Sequence, residues 1–210
     1  MAMTSTTIID TVIPAPRQRT TLLACDIALI IAGSLLLALS SRASFYLFSP
    51  YVPITMQPFV VMLLAATLGS RRGTLTMLLF LAEGATGLPV FVNGGGIAYL
   101  LMQPTAGYLF AYPVAAFLVG WCCERGLDRR YTTALWAMLP GLLAIYLIGL
   151  TWLTVWLHGN LLEAFTTGVL PFVVPDLIKL VAASLLLPLA WSFVRKFRNR
   201  ALLDNNQPQK

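Results

Sequence analysis

The chain has 210 residues, of which 58% are hydrophobic and only 10% charged, and its mean hydropathy is +0.80. Those values exclude an ordinary soluble domain, so the formal net charge of +6 reads as membrane topology rather than as affinity for nucleic acid. At roughly 20 apolar residues per crossing, this length supplies several spans and leaves little for a separate soluble domain.

A polar head, residues 1–21 with Arg17 and Arg19, opens the chain. The apolar run behind it is much longer than the h-region of a signal peptide and has no clear small-residue cleavage site, so the first span is expected to stay. Six transmembrane helices are predicted: Leu22 to Phe48, Ile54 to Leu68, Thr74 to Leu88, Thr105 to Cys123, Thr132 to Leu157 and Val169 to Val194. The second and third flank "LGSRRGT", and the cost of two arginines at mid-membrane puts that stretch at a surface turn. Residues 22–195 thus form one all-α integral membrane domain between two polar tails, 1–21 and 196–210, and the segment after Leu203 is expected to be disordered.

The basic residues give the orientation. With the amino terminus cytoplasmic, all but Arg42 and Lys179 of the 14 Lys and Arg fall inside: Arg17, Arg19, Arg71, Arg72, Arg125, Arg129, Arg130, Arg195, Lys196, Arg198, Arg200 and Lys210. Both termini are then cytoplasmic. The outer connections "SPYVP", "PVFVNGGGIAYLLMQP" and "HGNLLEAFTTG" lack Lys and Arg, and Gly94, Gly95 and Gly96 point to a loop folding over the outer face.

Within the last helix, "VVPDLIKLVAASLLLPLAW" places Asp176 and Lys179 three residues apart and so on one face. Asp176 stands about 22 Å from Trp191 at ~1.5 Å per residue, in the outer third of the membrane if Trp191 marks the inner interface. With Pro175 at the first helical position, Asp176 lies in the first turn, where the helix dipole favours its charge. Two readings compete: a binding pair for a small polar ligand, or an ion pair that neutralises itself against a neighbouring helix. The first is preferred because ionisable residues within spans commonly mark substrate or ion paths.

Glu83, in "FLAEGATGLP", is either a proton site or a buried acid bonded to a neighbouring helix. His158 is the sole histidine and is expected at the surface, since a metal site needs several ligands. The three cysteines, two of them the adjacent Cys122 and Cys123, fit neither a disulfide framework nor metal spacing and read as small buried residues. Ala24, Ala28 and Ala32 give the first helix a small-residue stripe suited to internal packing or to a partner. No phosphate-cradling "GxxxxGK[ST]" or "HExxH" occurs, and no apparatus for catalysis is evident. Solute binding at the outer face is the reading from residues alone, with a channel or proton-linked carrier open beside it.

The stretches "VPITMQ", "LGSRRG", "GLPVF", "PTAGYL" and "PDLIK", in that order, resemble the BioY family, the biotin-binding S components of energy-coupling factor (ECF) vitamin transporters. The resemblance spans about residues 22–195. It implies an ECF S-component-like bundle in a bacterial inner membrane, capturing biotin outside, with biotin as substrate and no further cofactor. It carries Asp176 and Lys179 into the binding pocket, where a carboxylate would accept the ureido N–H groups and an ammonium would donate to the ureido carbonyl. Gln57, Asn93 and Tyr108 are further polar candidates, Thr55 is read as a helix cap, and Gly94 and Gly95 are expected to bring backbone N–H groups to the ligand carboxylate or to form a lid. The resemblance also assigns Ala28 and Ala32 to contact with a transmembrane coupling subunit linked to two ATPases. Gln103 stands where the family commonly has Gly, and Pro58 where Thr is usual, both near the expected pocket. A stand-alone biotin carrier and an S component for another vitamin are the alternatives.

Overall fold

The structure is a computed structural model that describes residues 7–12, 19–46 and 49–205, with side chains through Lys196. Arg17, Phe48, Arg198, Arg200 and Lys210 therefore lie outside what is described, the last two arginines for their side chains. The elements in chain order are α1 (Ile8–Val12), α2 (Arg19–Ser41), β1 (Ser44–Phe45), β2 (Ile54–Thr55), α3 (Gln57–Ala85), α4 (Ile97–Met102), α5 (Ala106–Glu124), a 3₁₀ turn (Leu127–Arg129), α6 (Tyr131–Trp156), α7 (Leu161–Gly168) and α8 (Leu170–Asn205).

Among the described residues, four segments are long and apolar enough to cross a membrane: Arg19–Ser41, Ala106–Glu124, Tyr131–Trp156 and Leu161–Lys196. The second and third predicted helices appear as the two arms of α3, which breaks at Gly69 (φ 86°, ψ 177°), a backbone conformation that glycine supplies without steric cost. A Cβ placed on Gly73 would lie 3.1 Å from the Cα of Ala65. Residues eight apart in a straight helix are about 12 Å apart, so the arms fold back on each other. They are about 18 and 24 Å long, each shorter than a full span, and Arg71 and Arg72 at the bend between them lower the hydropathy of α3 below that of those four segments.

The bend lies in "LGSRRGT" and is fixed by charge. Glu124, at the end of α5, accepts from the Ser70 backbone N–H at 2.7 Å and from the Ser70 hydroxyl at 2.9 Å, satisfying a donor that the break leaves without a helical partner. Arg72 donates to Asp10 of α1 at 2.6 Å and to Asp26 of α2 at 2.7 Å, tying three helices together. Burial works against the charge of Asp10, but hydrogen bonds from Arg72 and Thr7 outweigh it and hold that carboxyl below its usual range. Near the same end, Asp128 accepts from the indole N–H of Trp191, joining the 3₁₀ turn to α8, and burial pushes the Asp128 carboxyl up.

The core is built from small residues that let backbones approach. Ala65, Ala66, Ala111, Ala115, Ala116, Ala137 and Ala183 are fully buried, and Cys122 and Cys123 are buried free thiols among them. Close helix approach through small side chains is the usual packing mode where water supplies no hydrophobic drive.

Several boundaries depart from the sequence reading. The first helix ends at Ser41, where the hydroxyls of Ser40 and Ser41 bond back to Leu37 and Ala38 and the chain turns into the β1–β2 ribbon, Ser44 opposite Thr55. The glycine-rich connection carries α4, and the third outer connection carries α7, capped by Asn160. The last helix starts at Leu170, one residue from the predicted span start at Val169, and is regular through residues 171–174, so Pro175 lies inside α8 and Asp176 beyond its first turn. The dipole argument for Asp176 is weakened accordingly, because that effect fades within a turn. Helix α8 also runs past Leu203 to Asn205, where disorder was expected; residues 206–210 lie outside the described residues.

Candidate ligand pocket

At the end of the bundle opposite the Gly69 bend, the starts of α3, α5 and α8 and the later part of α6 surround a cavity of about 740 Å³ of atom-free space, partly open to the exterior. Its floor holds the only ion pair of the region among the described residues: Lys179 Nζ to Asp176 Oδ1 at 2.9 Å, with Asp176 6% exposed. Lys179 also donates to the Thr55 carbonyl at 2.7 Å, and the Tyr146 hydroxyl donates to Asp176 Oδ2 at 2.9 Å.

Both charges are therefore held by partners from other elements, Thr55 on β2 and Tyr146 on α6, as well as by each other. A buried pair is tolerated only when its remaining hydrogen-bond capacity is also met. Each oxygen of Asp176 takes one bond and has further acceptor capacity, and the ammonium carries three donors of which two are used. The pair can thus accept N–H groups and donate to a carbonyl without being taken apart.

Gln57, at the start of α3, is 2% exposed and lines the cavity, and its side-chain Nε2 has no hydrogen-bond partner. A buried, unpaired amide donor is costly, and an acceptor on a ligand would relieve it. Its neighbour Thr55 accepts from the Gln57 backbone N–H at 3.3 Å, a capping role, while the Thr55 carbonyl serves Lys179.

Aromatic side chains make the walls. Tyr46, Tyr51, Tyr99, Tyr108, Tyr112 and Tyr146 all line the cavity, together with Phe91 and Phe172. Phe91 stacks on Tyr99 with centroids 5.6 Å apart and meets Phe80 edge-on. Tyr108 contributes its ring; its hydroxyl is committed to the Gly168 carbonyl at 2.8 Å. At the mouth, the Tyr51 hydroxyl reaches Glu163 of α7 at 3.2 Å, and that hydrogen bond raises the Tyr51 phenol above its usual range.

Of the residues singled out from the sequence, Asp176, Lys179, Gln57, Tyr108 and Thr55 line one cavity, as do Pro58 and Gln103. Asn93, Gly94 and Gly95 do not. Asn93 donates to the Tyr46 hydroxyl at 2.6 Å, one step from the wall. Gly94 exchanges backbone hydrogen bonds with Phe91, Gly96 donates to the Gly84 carbonyl at 2.6 Å, and Gly95 packs against the Leu88 carbonyl too closely for any side chain. The glycine run is thus a tight turn whose effect is to seat Phe91, and two of its N–H groups are already used.

Elsewhere, Glu83 is half-buried between α2 and α3, accepting from Ser34 at 2.9 Å, and does not line the cavity. His158 is exposed, and no group of three metal-ligating side chains occurs among the described residues. Ala24, Ala28 and Ala32 face outward from α2, whose opposite face packs through Gly33, Ser34 and Leu37.

Fold and cavity together define a multi-pass helical membrane protein with a preformed, aromatic-walled pocket at one end. A sequence profile described as the BioY family matches residues 14–196. Among its relatives, the probable biotin transporter BioY of Pyrococcus horikoshii is 45% identical over 63% of this chain and 76% of its own length. The biotin transporter BioY of Thermotoga maritima is 41% identical over 64% of this chain and 78% of its own. A crystal structure of the S-component for biotin from an ECF-type ABC transporter shares the fold, with a TM-score of 0.70 at 23% identity over 88% of this chain and 95% of that one. The chain belongs to the BioY family, a family of transporters rather than enzymes.

Proposed function

We propose that this chain is the biotin-capturing S component of an ECF-type uptake system in a bacterial membrane. The observation that carries the reading is the Asp176–Lys179 pair, bonded at 2.9 Å and set in the floor of an aromatic-walled cavity. Biotin's ureido ring offers two N–H donors and one carbonyl acceptor, the complement of a carboxylate beside an ammonium. Its thiophane ring and valeryl chain suit tyrosine and phenylalanine walls, leaving few polar groups to fix orientation. Gln57 supplies one more donor to the bound ligand, and Asn93, Gly94 and Gly95 act at one remove by holding Tyr46 and Phe91.

In this reading residues 22–195 cross the membrane six times, counting each arm of α3 as one crossing. Both tails, 1–21 and 196–210, lie in the cytoplasm. Arg71, Arg72, Arg125, Arg129, Arg130, Arg195 and Lys196 cluster toward the bend end, which favours that end as the inner one and the pocket as outward-facing. The outward-facing stripe of Ala28 and Ala32 on α2 is the docking surface for the transmembrane coupling subunit, which delivers the work of two ATPases; the loaded protein then releases biotin inward.

The direct test is to identify by mass spectrometry the small molecule that copurifies with the protein, and to titrate the emptied protein with biotin and with unrelated vitamins. Stoichiometric, selective biotin binding is expected. Selective binding of a different vitamin would replace this reading. Uptake by the chain alone in sealed vesicles would overturn the assignment of energy input to a partner.

A further inference from the structure

A second and separate cavity lies at the bend end, a groove of about 1050 Å³ between α1, α2 and the α3 turn. One wall is apolar and outward-facing: Leu23, Ile27 and Ile30 rise along α2, and Leu75 faces them from the second arm of α3. Leu23 and Ile27 are each 56% exposed and Leu75 50% exposed, so no other described residue covers that wall. Ile31 and Leu78, about one turn further along their helices, are also exposed.

The rim is ionic, and its charges are unequally committed. Arg72 is taken up by Asp10 and Asp26. Arg71 is exposed and makes no hydrogen bond or ion pair with the described residues. One oxygen of Glu124 holds Ser70; the other, like Oδ2 of Asp26, has no hydrogen-bond partner among the described residues. One uncommitted guanidinium thus stands beside two uncommitted carboxylate oxygens, at the head of an apolar furrow.

We propose that this groove binds a zwitterionic phospholipid with a primary-amine headgroup. The phosphate pairs with Arg71, whose planar fork matches phosphate oxygens, and the ammonium donates to Glu124 and Asp26. One acyl chain runs along Leu23, Ile27 and Leu75. Basic residues near a membrane surface ordinarily favour anionic lipids. Here, among the described residues, three carboxylates meet two guanidiniums, a net charge of one negative, so a headgroup carrying both signs is complementary and an anionic one is not. A choline headgroup meets the charge requirement but has no N–H to donate.

The test uses the full chain purified in mild detergent and stripped of lipid, with phosphatidylethanolamine, phosphatidylcholine or phosphatidylglycerol added back at equal acyl composition. Native mass spectrometry counts the retained lipid. One phosphatidylethanolamine per chain is expected, retained about tenfold more strongly than either other lipid. Arg71→Ala, which removes the phosphate partner, and Ile27→Trp, which fills the furrow, should each reduce retention at least severalfold, while melting temperature and monodispersity report that the variants are folded. Neither residue lines the ligand pocket, so the result does not depend on what that pocket binds. Equal retention of the three lipids, or unchanged retention in both folded variants, would overturn the proposal. So would crosslinking of Ile27→Cys to a coupling subunit undiminished by added phosphatidylethanolamine, since the groove would then belong to a protein.

Discussion

Tyr146, on α6, donates its phenolic hydrogen to Oδ2 of Asp176, on α8, at 2.9 Å, while Lys179 holds the other oxygen at the same distance. The carboxylate is thereby fixed from two helices, and its remaining lone pairs are directed into the cavity. Tyr146→Phe keeps the ring and removes only this restraint. Biotin affinity should fall by roughly tenfold, about 1.5 kcal/mol for a hydrogen bond to a charged group, with little change in melting temperature. Isothermal titration on the purified variant checks it.

Gln57 makes the opposite kind of prediction. Its Nε2 has no partner in the empty pocket, so Gln57→Leu should leave the empty protein as stable as the wild type or slightly more so. Biotin binding should nonetheless weaken by about tenfold, because an acceptor on the ligand loses its donor. A melting curve with and without biotin separates the two effects.

The proposed docking role of the α2 stripe can be tested apart from capture. Ala28→Trp and Ala32→Trp place bulk on an outward face far from the cavity lining. Copurification with a coupling subunit should be lost, and biotin affinity should stay within about twofold of wild type, a difference below ~0.5 kcal/mol.

Asp128 gives a prediction in pH. Burial raises its carboxyl pKa in the folded protein, so between the unfolded and folded values the native state binds more protons, and this residue's contribution to stability falls as pH rises. Asn in its place keeps an oxygen acceptor for the Trp191 indole and carries no charge. The melting-temperature difference between Asp128→Asn and wild type should therefore shift in favour of the variant as pH rises from the unfolded carboxyl value of 3.8 and level off above the folded one. A difference that stays constant or shifts toward wild type contradicts the burial argument.

The Asp176–Lys179 ion pair at the cavity floor was legible in the sequence because a carboxylate and an amine inside an apolar run carry an energetic cost that demands explanation. The charge asymmetry was legible for a similar reason, and the small residues of α2 by their spacing. Tyr146 was not, since a lone tyrosine in "LLAIYLIGL" reads equally as packing, and only its register opposite Asp176 gives it a role. Proline at a first helical position is common, which pointed to an irregular lead-in before Pro175, yet Pro175 is accommodated within the helix that begins at Leu170. The glycine run suggested backbone N–H groups open to an anion, whereas Gly94 and Gly96 spend theirs on Phe91 and Gly84. Hydrogen bonds between distant segments leave no local pattern to read.

The most direct measurement is the biotin dissociation constant of Asp176→Asn and of Lys179→Ala beside the wild type, each variant first verified as folded. Both should bind at least about 100-fold more weakly, since each removes one half of a buried, hydrogen-bonded charge pair and leaves the other uncompensated. Wild-type affinity in both variants would mean that the pair merely neutralises itself and that biotin is recognised elsewhere.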